Sequence, residues 1–115
     1  MNIPFEVTNW QDLETREYKG ESGIATWRII QYEMLRVRVV EYSPGYKANH
    51  WCSKGHIVYC LEGEFTSHLK DGRQFVIKKG MSYQATDDQD NPHLSTTESG
   101  CKLWIVDGEF LGKKP

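Results

Sequence analysis

The chain has only three cysteines, and their spacing follows no disulfide framework, so free thiols in a reducing cytoplasm are expected rather than a stapled secreted scaffold. Long apolar runs are missing: none approaches the roughly 18–20 residues of a membrane span. The first ten residues, Met1 to Trp10, lack the basic start and apolar stretch of a secretion signal. Positive charge is not in excess either. The net charge is −2, and lysine and arginine are scattered or paired briefly, as at Lys78-Lys79, so no basic face is offered to nucleic acid. Sustained helical periodicity is also lacking. Only Asn9 to Glu14 offers a helical turn, with Asn9 as its cap and Asp12 in the first turn.

What the sequence does contain is strands. At 115 residues the chain is expected to form one domain with a core that needs no disulfides. Segments rich in Val, Ile, Tyr, Trp and Thr alternate with Gly, Pro and Asp punctuation. Strands are expected at 24–32, 35–42, 56–61, 64–70, 75–77, 81–85, 93–97 and 102–106. A break is expected at Glu62-Gly63, and a type I′ hairpin turn at Asp71-Gly72. About eight short strands imply an all-β sandwich or barrel, and closure would remove the exposed edges. Residues 1–20 read as an N-terminal extension packing on a barrel formed by 21–111, and the tail from Gly112 as peripheral.

Chemistry concentrates in one stretch. Positions 50–60 hold four of the seven His and Cys residues, far above an even scatter. His50, Cys52 and His56 share parity, so an extended chain would present all three on one face. Imidazole and thiolate converging there would suit a transition metal. Cys60 reads as core and His68 as solvent-facing. Trp51, of opposite parity, should point outward. Tyr59 reads as core, and Tyr83 as core or as a pocket-lining residue. The acidic run Asp87, Asp88 and Asp90 reads as a solvated loop. Phosphate loops, nucleophile elbows and paired-carboxylate motifs are not found.

The stretch Gly45-x4-His50-x-Cys52-x3-His56-x6-Gly63 resembles the first cupin motif, in which His-x-His and a Glu precede a Gly. Gly80 to Thr86, followed by His93 and Thr97, is similar to the second, with Thr86 and Thr97 in place of its Pro and Asn. The resemblance covers roughly residues 37–107. Within it, Asn49-His50-Trp51-Cys52 looks like the signature of small single-domain cupins named for a DHCW motif, a group without an assigned activity. The resemblance implies a cupin-type double-stranded β-helix, or jelly-roll β-barrel. Carried over by position, it implies a divalent metal held by His50, Cys52, His56 and His93, where Cys52 replaces a His and His56 the Glu.

A thiolate in place of a carboxylate would favour Zn, Fe, Ni or Cu over harder ions. The expected function is that of a small cupin binding or transforming a small molecule at this metal. A dioxygenase, isomerase or lyase is compatible with the fold. The alternative is a non-catalytic module, a sensor or a closed structural Zn site. The resemblance also implies a homodimer, with Trp27, Trp51 and Trp104 as candidates for its surface.

Overall fold

In the computed structural model, which describes residues 1–112, alternation decides which side chains form the core. Eight antiparallel strands run in chain order: β1 (Arg16–Lys19), β2 (Ile24–Gln31), β3 (Leu35–Tyr42), β4 (His56–Leu69), β5 (Gln74–Lys78), β6 (Ser82–Ala85), β7 (His93–Thr96) and β8 (Cys101–Gly108). The last shows the two-residue period most strictly: Cys101, Leu103, Ile105 and Asp107 are buried, and their neighbours are half-exposed. Three members of that stripe, Cys101, Leu103 and Ile105, join Val40, Val58, Cys60, Phe65 and Ile77 in the core. Cys60 is therefore core, as its sequence setting suggested. The Lys113–Pro115 part of the tail expected to be peripheral lies outside the described residues.

One long strand joins the two layers. The first half of β4 pairs with β6 and β8, and its second half pairs with β5 and β7. The remaining order on the first side is β1-β2-β3-β8-β4. The break expected at Glu62-Gly63 is instead an irregularity within a continuous strand, where the register with β8 shifts between Cys60 and Glu62. Gly63, at φ 74°, makes the bend possible, with its backbone against that of Gly100. A bulge bends a strand without ending it, so glycine there resembled a stop.

Other expectations are corrected by local geometry. The turn after β4 is not type I′, because Asp71 does not have positive φ; Gly72 alone does, at 98°. The Gly72 N–H donates to Leu69 C=O at 3.0 Å, and the Asp71 carboxylate accepts from the Arg73 N–H. His68 is half-buried, with Nε2 2.8 Å from Thr96 Oγ1, rather than solvent-facing. Tyr59 is exposed rather than core. Trp27 packs between the Tyr18 ring and the Arg38 guanidinium, each 4.3 Å away, and Trp104 meets Trp10 edge-on at 5.1 Å. Of Trp27, Trp51 and Trp104, the candidates for a dimer surface, only Trp51 is exposed, beneath the Lys70 ammonium at 4.5 Å.

The N-terminal turn forms as a 3₁₀ segment, Trp10–Asp12, capped by Asn9. It is followed by β1, an edge strand outside the expected set. Among the described residues, no helix is long and apolar enough to cross a membrane.

Candidate metal centre

Cys52 and His93 are brought together by the backbone. The Cys52 N–H donates to His93 C=O at 2.8 Å, and the His93 N–H returns a bond of 2.9 Å to Cys52 C=O. Such a reciprocal antiparallel pair places both side chains on one side. His56, the first residue of β4, points inward with Val58 and Cys60. The donor atoms of Cys52, His56 and His93 lie within 4.8 Å of one another.

The spacing within that group suits an ion. Cys52 Sγ is 3.7 Å from His56 Nε2. A tetrahedral ion at about 2.3 Å from sulfur and about 2.05 Å from nitrogen would hold those donors about 3.6 Å apart. His56 Nδ1 lies 3.0 Å from Asp107 Oδ2, which holds a proton on Nδ1 and turns Nε2, the atom a metal would take, toward the sulfur. A carboxylate behind a ligating imidazole is the usual outer support of a metal-bound histidine. The three donors therefore fit a borderline-soft divalent ion.

His50 does not join them. It lines the same cavity, but its side chain is exposed and Nδ1 lies 2.7 Å from Asn49 Oδ1. Shared parity puts residues 50, 52 and 56 on one face only if the chain is extended throughout. Here 49–50 form a bend, and 53–55 are irregular. Gly55 causes that irregularity to fit: its backbone presses against residues 85–87, and its N–H donates to Asp87 Oδ1 at 2.6 Å. Asp87 is thus a positioning group for the approach to His56, not only a solvated loop residue. An added Cβ at Gly55 would come within 2.7 Å of Asp87 N. Gly55→Ala is expected to cost about 1–3 kcal/mol in urea unfolding and to weaken metal binding by displacing His56. Unchanged stability would show that the segment yields freely.

Asp107 was not anticipated. It is 6 % exposed and sits on the apolar parity of β8. Arg36 donates to both its oxygens, at 2.9 and 3.1 Å, and Arg38 Nη2 donates to Oδ2 at 2.7 Å. Burial alone would raise its pKa, but hydrogen bonds from His56 and Arg36 and the charge of Arg38 outweigh it and hold the carboxyl well below the usual range. The signal for it was a lone acid in an otherwise apolar stripe.

Burial would likewise raise the Cys52 thiol, but hydrogen bonds with His56 and His93 reverse this and bring its pKa down to about 5. For His56, burial opposes protonation, and Asp107 and Cys52 override it, so its pKa is raised. Cys60 is pushed up by burial, and Cys101, for the same reason, to about 12. Metal-free protein at pH 7 should therefore carry one thiolate per chain. Its ultraviolet absorbance should appear near pH 5 and vanish in Cys52→Ser. A first thiolate only above pH 8 would contradict this.

The donors line a cavity of about 220 Å³ that also includes Trp27, Arg38 and Tyr83. A neighbouring cavity of about 440 Å³ shares Tyr83 and His93 but not Cys52 or His56. Tyr83 therefore lines a pocket, with its ring 6.0 Å from that of His93. Burial raises its pKa, so the phenol stays neutral and can donate a hydrogen bond.

No family model matches the sequence, and no curated protein does. Solved structures share its fold. A sugar phosphate isomerase of the cupin superfamily from Silicibacter pomeroyi is 15 % identical, with 90 % of this chain and 76 % of that one covered at a TM-score of 0.74. An RmlC-like cupin from Shewanella frigidimarina is 17 % identical over 91 % of both chains, at a TM-score of 0.72. A polyketide cyclase from Streptomyces resistomycificus is 20 % identical, covering 91 % of this chain and 80 % of its own, with a TM-score of 0.73.

Proposed function

We propose that this chain, which has the cupin jelly-roll fold, holds one divalent transition metal on Cys52, His56 and His93 and uses it to bind or transform a small molecule in the adjoining cavity. One observation carries the reading: a thiol and two imidazoles from separate parts of the chain share one point at the cavity wall, with a buried carboxylate supporting one of them. The donor set favours Zn, Fe, Ni or Cu. Three protein donors leave a fourth position open, the arrangement of a site that works on a ligand rather than one that only braces a fold. A metal held this way would supply Lewis-acid chemistry at the cavity wall.

The residues around the metal have separable tasks. Asp107 fixes the His56 tautomer, Arg36 keeps Asp107 ionised, and Tyr83 offers a neutral hydroxyl. The sugar phosphate isomerase and the polyketide cyclase are named for small organic substrates, which supports an enzymatic role; the fold does not choose among isomerase, lyase and dioxygenase chemistry. A closed structural Zn site is the second reading, because His50 lines the same cavity and could supply a fourth donor. Its bond to Asn49 and its exposure favour the open site.

Elemental analysis of protein purified without a His-tag tests the proposal. One transition metal per chain is expected, and Mg or Ca alone would contradict it. His50→Ala should retain the metal; loss of it would favour the closed site.

A homodimer in the cytoplasm completes the reading. Ile3, Phe5 and Val7 alternate as exposed apolar side chains, and Phe5 is 99 % exposed. Sedimentation at micromolar concentration should give about twice the 13.4 kDa chain mass, and a lone 13 kDa species would contradict it.

A further inference from the structure

The cavity wall carries three cationic side chains against one anion, the Cys52 thiolate. Arg36, Arg38 and Lys54 line it, and no carboxylate does. Asp107, just behind the wall, is already engaged by both forks of Arg36 and by His56. Arg38 adds one bond to that carboxylate, from Nη2. Its Nε has no partner, although the residue is only 5 % exposed. A guanidinium has five N–H donors, and buried donors are normally satisfied. Lys54 leans outward toward Asp87 at 3.9 Å, which offsets its charge and leaves Arg38 as the cation with an unused donor.

The Arg38 guanidinium is also held in place. It lies over the Trp27 ring at 4.3 Å and is tied to Asp107 at 2.7 Å. A planar fork fixed on two sides, with donors to spare, suits a planar anion with two oxygens. Lysine, a rotating point charge, would not make that choice. The volume of about 220 Å³ falls below the roughly 300 Å³ at which drug-sized pockets begin.

We propose that the ligand of this cavity is a small organic carboxylate, whose carboxylate is held by Arg38 while the rest of the molecule reaches the metal-side wall. The inference rests on the proposed metal-site function for its choice of cavity, and it adds the class of ligand.

Titration calorimetry with acetate, pyruvate and malonate, against their amides and inorganic phosphate, tests it on Zn-loaded and metal-free protein. At least one acid should bind tenfold or more tightly than its amide and than phosphate. Arg38→Gln should weaken that acid at least tenfold and leave the amide unchanged. Arg28→Gln, which removes another guanidinium with an orphaned Nε that does not line the cavity, should change neither.

Equal binding of acids and amides, retained acid binding in Arg38→Gln, tighter binding of phosphate, or no binding by any acid would each overturn the proposal. If Arg38→Gln does not fold, the Arg38 Nε–H NMR signal of the unmodified protein decides: it should move with the acid and not with the amide. Metal content separates this result from the underlying reading. Full metal loading without acid selectivity sinks the carboxylate inference alone. Acid binding through Arg38 in protein that takes up no metal sinks the metal reading instead.

Discussion

Cys52→Ser will fold, and it will hold its metal at least 100-fold more weakly than the parent protein. The fold should survive because Cys52 lies outside the core: Val40, Val58, Phe65, Leu103 and Ile105 are packed together without it. Its backbone bonds with His93 also do not need the sulfur. The metal loss follows from ligand chemistry. Losing an outer hydrogen-bond partner of a ligand typically costs 10–100-fold in affinity. Replacing an inner thiolate with a neutral hydroxyl removes both a strong donor and the anion that offsets the metal charge, so the loss should exceed that range. Chelator competition measures the affinity, and urea unfolding of both metal-free proteins measures the fold. An unchanged affinity would mean the sulfur is no ligand.

The second large effect is at Asp107. Replacing it by Asn keeps the shape and one acceptor, but leaves Arg38 and Arg36 without their shared anion. Removing one partner of a buried ion pair usually costs about 3–5 kcal/mol, and the retained acceptor places Asp107→Asn near the lower end. His56 also loses the group that fixes its tautomer, so metal affinity should fall about 10–100-fold.

The effect has a pH signature. The folded chain binds fewer protons at Asp107 than the unfolded chain, where the group titrates near pH 3.9. Stability from this carboxylate is therefore fully present above about pH 5 and is lost as acid lowers the pH toward its depressed folded value. In urea unfolding of metal-free protein, the gap between parent and Asp107→Asn should be widest at neutral pH and should narrow below pH 4. A gap that stays constant with pH would remove the carboxylate from the account.

Much of this arrangement was legible in the sequence, for physical reasons. The 35–42 strand is legible with the bounds it has, because Arg36 and Arg38 alternate with Val37 and Val39 and Ser43-Pro44-Gly45 then turns the chain. Cys52, His56 and His93 were singled out through spacing and through the resemblance to cupins, and the fold agrees with that resemblance. Parity places His50 with them only in an extended chain, and the segment bends and loosens before His56. Arg36, Arg38 and Asp107 were harder to place. Alternation reports which residues share a face, but not that the face carrying two arginines turns inward. Only the pairing of β3 with β8, which sets Arg36 opposite Asp107, makes their burial tolerable. Such cross-strand compensation is long-range and leaves no local period to read.

X-ray absorption at the metal edge, on tag-free protein loaded with Zn, reads the ligand shell itself. One sulfur at about 2.3 Å, two imidazole nitrogens at about 2.0–2.1 Å and one further light scatterer from solvent or ligand are expected. A shell without sulfur, or one with three imidazoles, would contradict ligation by Cys52, His56 and His93.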